Sequence, residues 1–310
     1  MDDTPRVGIV GAGGIAPPHI EGWLALGAEV GILRRTGADA LAARYGLRLH
    51  DTLEELIQGS GIVDVVSPTS SHLDIARAAF AAGRHVVCEK PLAVTAAEAQ
   101  ELADAAAAAG VRLFPAHVVR YFSGYQQVHE RIGAVGAITE LTARRTVAAP
   151  ASAWFFSQDA GGGIIRDLMI HDLDQALWLA GPAVEVSATQ DPPAVDSVVQ
   201  PPVSAHVTLT HANGAISHVR ADWAEPGTPF RSMLEVTGDR GELSVDTSTT
   251  DTEHPSPASA ADPYREQLAD FLDAIRTGRD ARVTPADGVA AVVLVDAAYA
   301  SLASGHPVVL

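Results

Sequence analysis

A glycine-rich turn sits between two short apolar runs at the head of this chain, and few folds accept that arrangement. Arg6-Val7-Gly8-Ile9-Val10 reads as a strand, Gly11-Ala12-Gly13-Gly14-Ile15-Ala16 as the turn, and the stretch through Trp23 and Leu26 as a helix. A second strand follows at Glu29-Val30-Gly31-Ile32-Leu33. In such a unit the first glycine permits a tight turn and the second lets backbone approach a pyrophosphate. The helix N-terminus adds N–H groups and a positive dipole end. Ala16 takes the third place of G-x-G-x-x-G, where alanine also serves. Gly11, Gly13, Gly14 and Ile15 are therefore expected at a dinucleotide.

The rhythm continues to about residue 120. Apolar runs Val63–Ser67, His85–Cys88 and Val111–Phe114 alternate with helical patterns near 15–26, 37–46, 52–58, 72–82 and 95–109. Alternation of this kind predicts a doubly wound parallel sheet, a Rossmann domain over 1–120. From 121 to 310 the pattern changes to successive strands at Leu141–Val147, Val184–Thr189, Ser204–Leu209, Ile216–Ala221, Met233–Thr237 and Leu243–Val245, with helices at Pro263–Thr277 and Ala286–Ser304. The fold class expected is α/β, with a second α+β domain built on a large, mainly antiparallel open sheet. Polar or proline-rich stretches at 190–202 and 246–262 read as exposed loops.

Composition narrows the function. A formal net charge of −17 opposes nucleic acid and anionic membranes, and 47% hydrophobic residues suffice for buried cores. The N-terminus carries no basic-then-apolar leader, no uninterrupted apolar run reaches spanning length, and the single cysteine, Cys88, suits a reducing compartment. A cytoplasmic protein is expected, with Cys88 as a small buried hydrophobe.

Several segments carry chemistry. Glu89-Lys90-Pro91 follows the apolar run His85–Cys88, which puts an ammonium at a strand end where a parallel sheet binds its ligands. Such a lysine can polarise a hydroxyl or carbonyl oxygen. Arg34-Arg35 ends the second strand, where NAD-binding proteins usually place an acidic residue. Two guanidinium groups suit a 2′-phosphate, so NADP(H) is expected over NAD(H), with Arg34 the main contact. Ser67-Pro68-Thr69-Ser70-Ser71-His72 forms a turn whose small residues let backbone approach the cofactor; His72 reads as a nicotinamide neighbour or as a cap. In the second half, Gly161-Gly162-Gly163 leads to Asp167 and His171, four apart on a helix, with Asp174 three beyond His171 as the other partner, so that a carboxylate can orient an imidazole acting as general acid or base. A metal site at His171-Asp172 lacks further matching ligands, and a capping and packing role is the structural alternative.

These motifs together resemble the Gfo/Idh/MocA family of nicotinamide-dependent oxidoreductases, and the likeness spans nearly the whole chain. Gly238-Asp239-Arg240-Gly241-Glu242-Leu243 and Asp270-Phe271-Leu272-Asp273-Ala274-Ile275 add to it. The resemblance implies hydride transfer between the cofactor and a sugar, cyclic polyol or keto-sugar held between the two domains, in a homodimer or homotetramer formed through the C-terminal sheet. It implies Lys90 and His171 at the reacting oxygen, Asp167 orienting His171 or touching substrate, and Glu89 near the cofactor. His117, Arg120, Tyr121, Arg144, Arg145 and Trp154 are expected to line the substrate cleft, with no metal. Met169 departs from the family's usual glycine, and Arg34 from its acidic residue. A redox-assisted glycoside hydrolase and a non-catalytic sensor on the same fold are the competing readings.

Overall fold

A computed structural model of the chain describes residues 4–247 and 262–310. Contacts divide it into two compact units, one running to Tyr121 and including the stretch that ends at Val289, the other containing the chain from Phe122 and the segment Ala290–Leu310.

The first unit holds strands β1 (Arg6–Val10), β2 (Glu29–Leu33), β3 (Arg48–His50), β4 (Ile62–Val65), β5 (His85–Glu89) and β6 (Leu113–Ala116). Helices α1 (Ala16–Ala25), α2 (Ala38–Tyr45), α3 (Leu53–Gly59), α4 (His72–Ala81) and α5 (Ala96–Ala109) alternate with them. The strands form one sheet in the order β3-β2-β1-β4-β5-β6, and every pairing is parallel. Helices on both faces bury the strands on both sides, which is why β1, β4 and β5 read as unbroken apolar runs. The order reverses between β1 and β4, the switch point outside which such sheets bind ligands.

Helix α8 (Pro263–Thr277), which the sequence places beyond the boundary at 121, packs in the first unit. Asp262 caps it by accepting from the Tyr264 N–H. Its apolar stripe, Leu268, Phe271 and Leu272, joins Ile20, Trp23 and Phe114 in one core. Phe271 stacks on Phe114 with ring centres 4.8 Å apart and meets the edge of Tyr121 at 6.2 Å.

The second unit contains α6 (Ser123–Arg131), β7 (Ile138–Ala148), α7 (Ile170–Ala180), β8 (Ala183–Asp191), β9 (Val203–His211), β10 (Ile216–Ala224), β11 (Arg231–Gly238), β12 (Gly241–Asp246) and β13 (Val308–Val309). Its seven-stranded sheet runs β12-β11-β7-β10-β9-β8-β13, antiparallel except where β7 lies parallel to β10. Buried and more exposed residues alternate along β9 and β11, giving one covered and one open face. The last helix, α9 (Pro285–Ser304), has the length and composition of a membrane span, and its Val292, Leu294, Val295 and Ala298 are buried.

Strands β3 and β13 and helix α6 lie outside the sequence expectation. Two or three residues carry no periodicity, and α6 buries only Tyr125 and Val128. The fifth expected strand, at 111–114, runs instead over Leu113–Ala116. The loop read over 246–262 lies almost wholly outside the described residues.

Truncating the stacked ring tests the packing of α8. Phe271→Ala is expected to cost about 3–5 kcal/mol in urea unfolding followed by circular dichroism, whereas a loss under ~1 kcal/mol would show that α8 is not part of the first unit's core.

Candidate active site

The first turn meets its expectation in backbone terms. Gly11 has φ +129°, and a Cβ there would collide with the Val66 carbonyl, so β1 and β4 approach closely at this point. A Cβ on Gly13 or Gly14 would meet nothing within 4 Å, and both glycines are exposed. This open backbone fits a pyrophosphate. The helix behind it is a poorer donor than the motif suggests, because Pro17 and Pro18 remove two first-turn N–H groups. Gly13, Gly14 and Ile15 must then supply the donors that an anion would meet.

Arg34 lies at the end of β2, half exposed, 2.8 Å from Asp51 and 3.6 Å from Asp39. Arg35 donates to the Arg34 carbonyl at 2.9 Å. Exposed pairs of this kind contribute about 0–1 kcal/mol, less than a charge-assisted bond to phosphate at ~1.5–3 kcal/mol, so Asp51 does not prevent Arg34 from turning to an anion.

At the next strand end, Ser67 and Ser71 share a hydroxyl contact of 2.7 Å, and Ser71 donates to the Pro68 carbonyl. Thr69 is buried and Pro68 exposed. His72 is braced in the interior. It is 1% exposed, with Nδ1 3.0 Å from the Pro91 carbonyl and Nε2 2.9 Å from that of Ser67. Burial, outweighing these carbonyls, lowers its pKa, and a neutral ring donates to only one of them.

Glu89 also differs from expectation. Its carboxylate is buried, accepting from His19 Nε2 at 3.0 Å and from the Lys90 backbone N–H at 3.1 Å. The other nitrogen of His19 lies 2.8 Å from Asp64 Oδ2, which also accepts from Trp23 Nε1 at 2.7 Å. Burial lowers the pKa of His19, but Asp64 and then Glu89 outweigh it and hold the ring up at about 10. Lys90 itself is only half buried at the end of β5. Cys88 is fully buried, which pushes its thiol well above the ordinary range.

Of the residues after β6, His117 is 1% exposed, and two others are corrections. Arg120 donates to the Arg282 carbonyl and pairs with Asp287 at 3.1 Å. Tyr121 donates to Asp270 at 2.7 Å beneath the Arg282 guanidinium. Both are buried and hold the stretch after α8.

In the second unit a π-helical turn, Ile165–Met169, precedes α7. Such turns are rare and gather at functional sites. From Gly161 to Ala176 every residue is buried except Asp167 and His171, which share the open face of this helical run. The glycines are required by contact: a Cβ on Gly162 would strike the Phe155 carbonyl, and one on Gly163, at φ +97°, would strike the Tyr299 hydroxyl. Arg166 ties the segment down by donating to the carbonyls of Gln158 and Gly162 and lying over the Tyr299 ring. Arg145 forks onto Asp172 at 2.9 and 2.8 Å in a fully buried pair. Burial disfavours the Arg145 charge, but Asp172 outweighs it. Trp154 is half buried and stacks on Phe155, ring centres 3.9 Å apart.

Two family models match the chain. One, an oxidoreductase family with an NAD-binding Rossmann fold, covers residues 5–117; the other, the GFO/IDH/MocA C-terminal domain, covers 125–244. The chain belongs to the Gfo/Idh/MocA oxidoreductase family. Among relatives of this family, 1,5-anhydro-D-fructose reductase of Ensifer adhaerens is 29% identical with 92% of each chain aligned. Inositol 2-dehydrogenase of Rhizobium meliloti is 28% identical over 97% of each. Among solved structures, GenD2 from gentamicin A biosynthesis, in complex with NAD, superposes with a TM-score of 0.89 at 28% identity, covering 100% of this chain and 97% of that one.

One compositional fact sharpens the site of this Gfo/Idh/MocA member. The chain contains twenty arginines and a single lysine, Lys90. Pooling the two as one charge class conceals it. The His19 and Arg145 networks lay beyond sequence reasoning for another reason: their partners are 45, 70 and 27 residues away.

The buried imidazolium has a pH signature. Its folded pKa of about 10 exceeds the ordinary 6.5, so its stabilisation is complete below pH 6.5 and is lost as pH rises toward 10. Urea unfolding between pH 7 and 9 should show wild type losing up to ~1.4 kcal/mol per pH unit more than His19→Asn. Parallel losses in the two proteins would mean that the ring is neutral.

Proposed function

We propose that this oxidoreductase moves a hydride between NADP(H), in preference to NAD(H), and a CH–OH carbon of a sugar or cyclic polyol, or the matching keto-sugar. The observation that carries the reading is the solitary lysine. Where this chain needs a cation for ion pairing or solubility it uses arginine, whose guanidinium does not give up its proton. Lysine is kept for the end of β5, at the ligand-binding edge of the sheet, where a deprotonatable ammonium can do chemistry. The named relatives, an anhydrofructose reductase and an inositol dehydrogenase, support the substrate class.

A bound nicotinamide would supply the acceptor or donor of hydride. Gly11, Gly13, Gly14 and Ile15 would hold the pyrophosphate, Ser67, Pro68 and Thr69 would border the cofactor, and Arg34, with Arg35 beside it, would read a 2′-phosphate. Lys90 would hold the reacting oxygen and stabilise charge as it develops there. His171 would take the hydroxyl proton during oxidation and return it during reduction, with Asp167 orienting the ring. Trp154 and Phe155 offer an aromatic surface against which a sugar ring can pack. His117 would line the substrate cleft. Self-association as a homodimer or homotetramer is assigned to the open face of the seven-stranded sheet.

Turnover would be followed by NADPH absorbance against myo-inositol, methyl D-glucoside and 1,5-anhydro-D-fructose. Lys90→Ala and His171→Ala should each lower kcat by about 10²–10⁴-fold; unchanged turnover in either sinks its role. Calorimetry with Arg34→Ala should show NADPH losing about tenfold in affinity, or roughly 1.4 kcal/mol, while NADH changes little. Equal losses would remove the 2′-phosphate reading. Release of a phenol from a nitrophenyl glycoside at constant NADPH absorbance would favour a redox-assisted glycosidase instead.

A further inference from the structure

We propose that His19 and Glu89 are positioning residues for Lys90: the imidazolium, clamped between Asp64 and Glu89, fixes a carboxylate whose second oxygen anchors the Lys90 backbone N–H. The inference concerns the first unit alone and rests, for its catalytic meaning, on the reading of Lys90 given above.

The geometry forms a continuous line. Trp23 Nε1 and His19 Nδ1 meet the same oxygen of Asp64 at 2.7 and 2.8 Å. His19 Nε2 meets Glu89 Oε1 at 3.0 Å, and the Lys90 N–H meets Glu89 Oε2 at 3.1 Å. With a carboxylate on each ring nitrogen, both nitrogens donate and the ring carries a proton on each. Three elements are joined: α1, whose N-terminus carries the glycine turn, the middle of β4, and the end of β5. Asp64 and His19 are completely buried and Glu89 nearly so.

Energetics argue that this network is kept for placement. Withdrawing three charged groups from water carries a desolvation cost that their attraction only partly repays, and apolar replacements of similar volume are often as stable or more so. Two carboxylates flank one imidazolium, and the Lys90 ammonium adds a second positive charge beside Glu89. What apolar side chains could not do is bind the peptide at the root of Lys90. Glu89 is the adjacent residue on β5, so its own side chain can reach back to the next N–H only if something else holds the carboxylate; His19 supplies that hold. From the other side, His72 Nδ1 lies 3.0 Å from the Pro91 carbonyl.

The solitary lysine makes the test direct. Protein labelled with ¹⁵N-lysine gives one backbone amide signal and protein labelled with ¹³Cε-lysine gives one side-chain signal, both from Lys90. In the unaltered protein the Lys90 amide should exchange with solvent on the order of 100-fold or more slowly than an unprotected amide; exchange at the unprotected rate overturns the proposal without any variant.

In His19→Asn and Glu89→Ala the amide protection should fall by at least tenfold and the ¹³Cε signal should move. Glu89→Gln keeps the shape and one acceptor oxygen for the Lys90 N–H, and its amide NH2 can donate to a His19 ring that gives up its Nε2 proton, so both signals should stay near their wild-type positions. Circular dichroism and thermal unfolding on the same samples confirm the fold. A ¹³Cε signal unmoved in folded His19→Asn, or Glu89→Gln displaced as far as Glu89→Ala, overturns positioning through the hydrogen bonds. With a substrate found in the screen, His19→Asn should lower kcat by up to about 100-fold with KM nearly constant. If Lys90→Ala leaves turnover intact, the catalytic reading of Lys90 fails on its own, while the amide signal still decides whether His19 and Glu89 place it.

Discussion

Parallel pairing of β1, β4 and β5 is the constraint on which the first unit's chemistry depends. Strands that run the same way end on the same edge, and here those ends are Val10, Val65 and Glu89. The glycine turn, the Ser67–Thr69 turn and Lys90 are far apart along the chain yet follow three adjacent strands. An antiparallel sheet would send alternate ends to opposite edges and scatter these segments. The crossover helices that parallel pairing demands also supply α1, so the element that carries His19 into the core is the one whose N-terminus faces the glycine turn.

Both units use one device. Lys90 follows Glu89, a buried carboxylate bound to His19, and His171 precedes Asp172, a buried carboxylate bound to Arg145. In each case a partly exposed side chain is flanked in sequence by an acid committed to the interior. An ion pair of that kind is a poor source of net stability, but its directional bonds leave little freedom to the backbone from which the neighbour projects. The partner follows from the number of carboxylates to be held. Arginine forks onto Asp172 with two parallel bonds, whereas histidine presents two donors on opposite sides and so can join two carboxylates.

Most elements were legible because their patterns are long. The apolar runs of the parallel sheet, the alternation in β9 and β10 and the stripe of α8 all express which face is buried. Strands β3 and β13 were not legible, since register with a neighbour, rather than their own composition, makes them strands. The site was half legible. Gly11, Lys90, Asp167 and His171 keep partial exposure, while Arg120, Tyr121, His72 and Glu89, polar residues close to the same motifs, turn inward. Sequence adjacency says that a side chain is near a strand end, but the direction in which it points depends on partners such as Asp270, Asp287 and His19 that arrive from elsewhere in the chain. The π-helical turn carries no spacing signature of its own, because one extra residue in a turn leaves the apolar pattern around it intact.

The first unit is assembled from two separated stretches of chain, with α8 covering Phe114 and Trp23 only after the residues from Phe122 onward have been inserted between them. On the ribosome this imposes an order of events. Roughly 140 residues must be made between Tyr121 and α8, which at ~5–20 residues per second takes on the order of 10 s. Throughout that interval the aromatic residues that α8 covers, Phe114 and Trp23, lack that cover, so the core of the dinucleotide-binding unit closes only when α8 emerges.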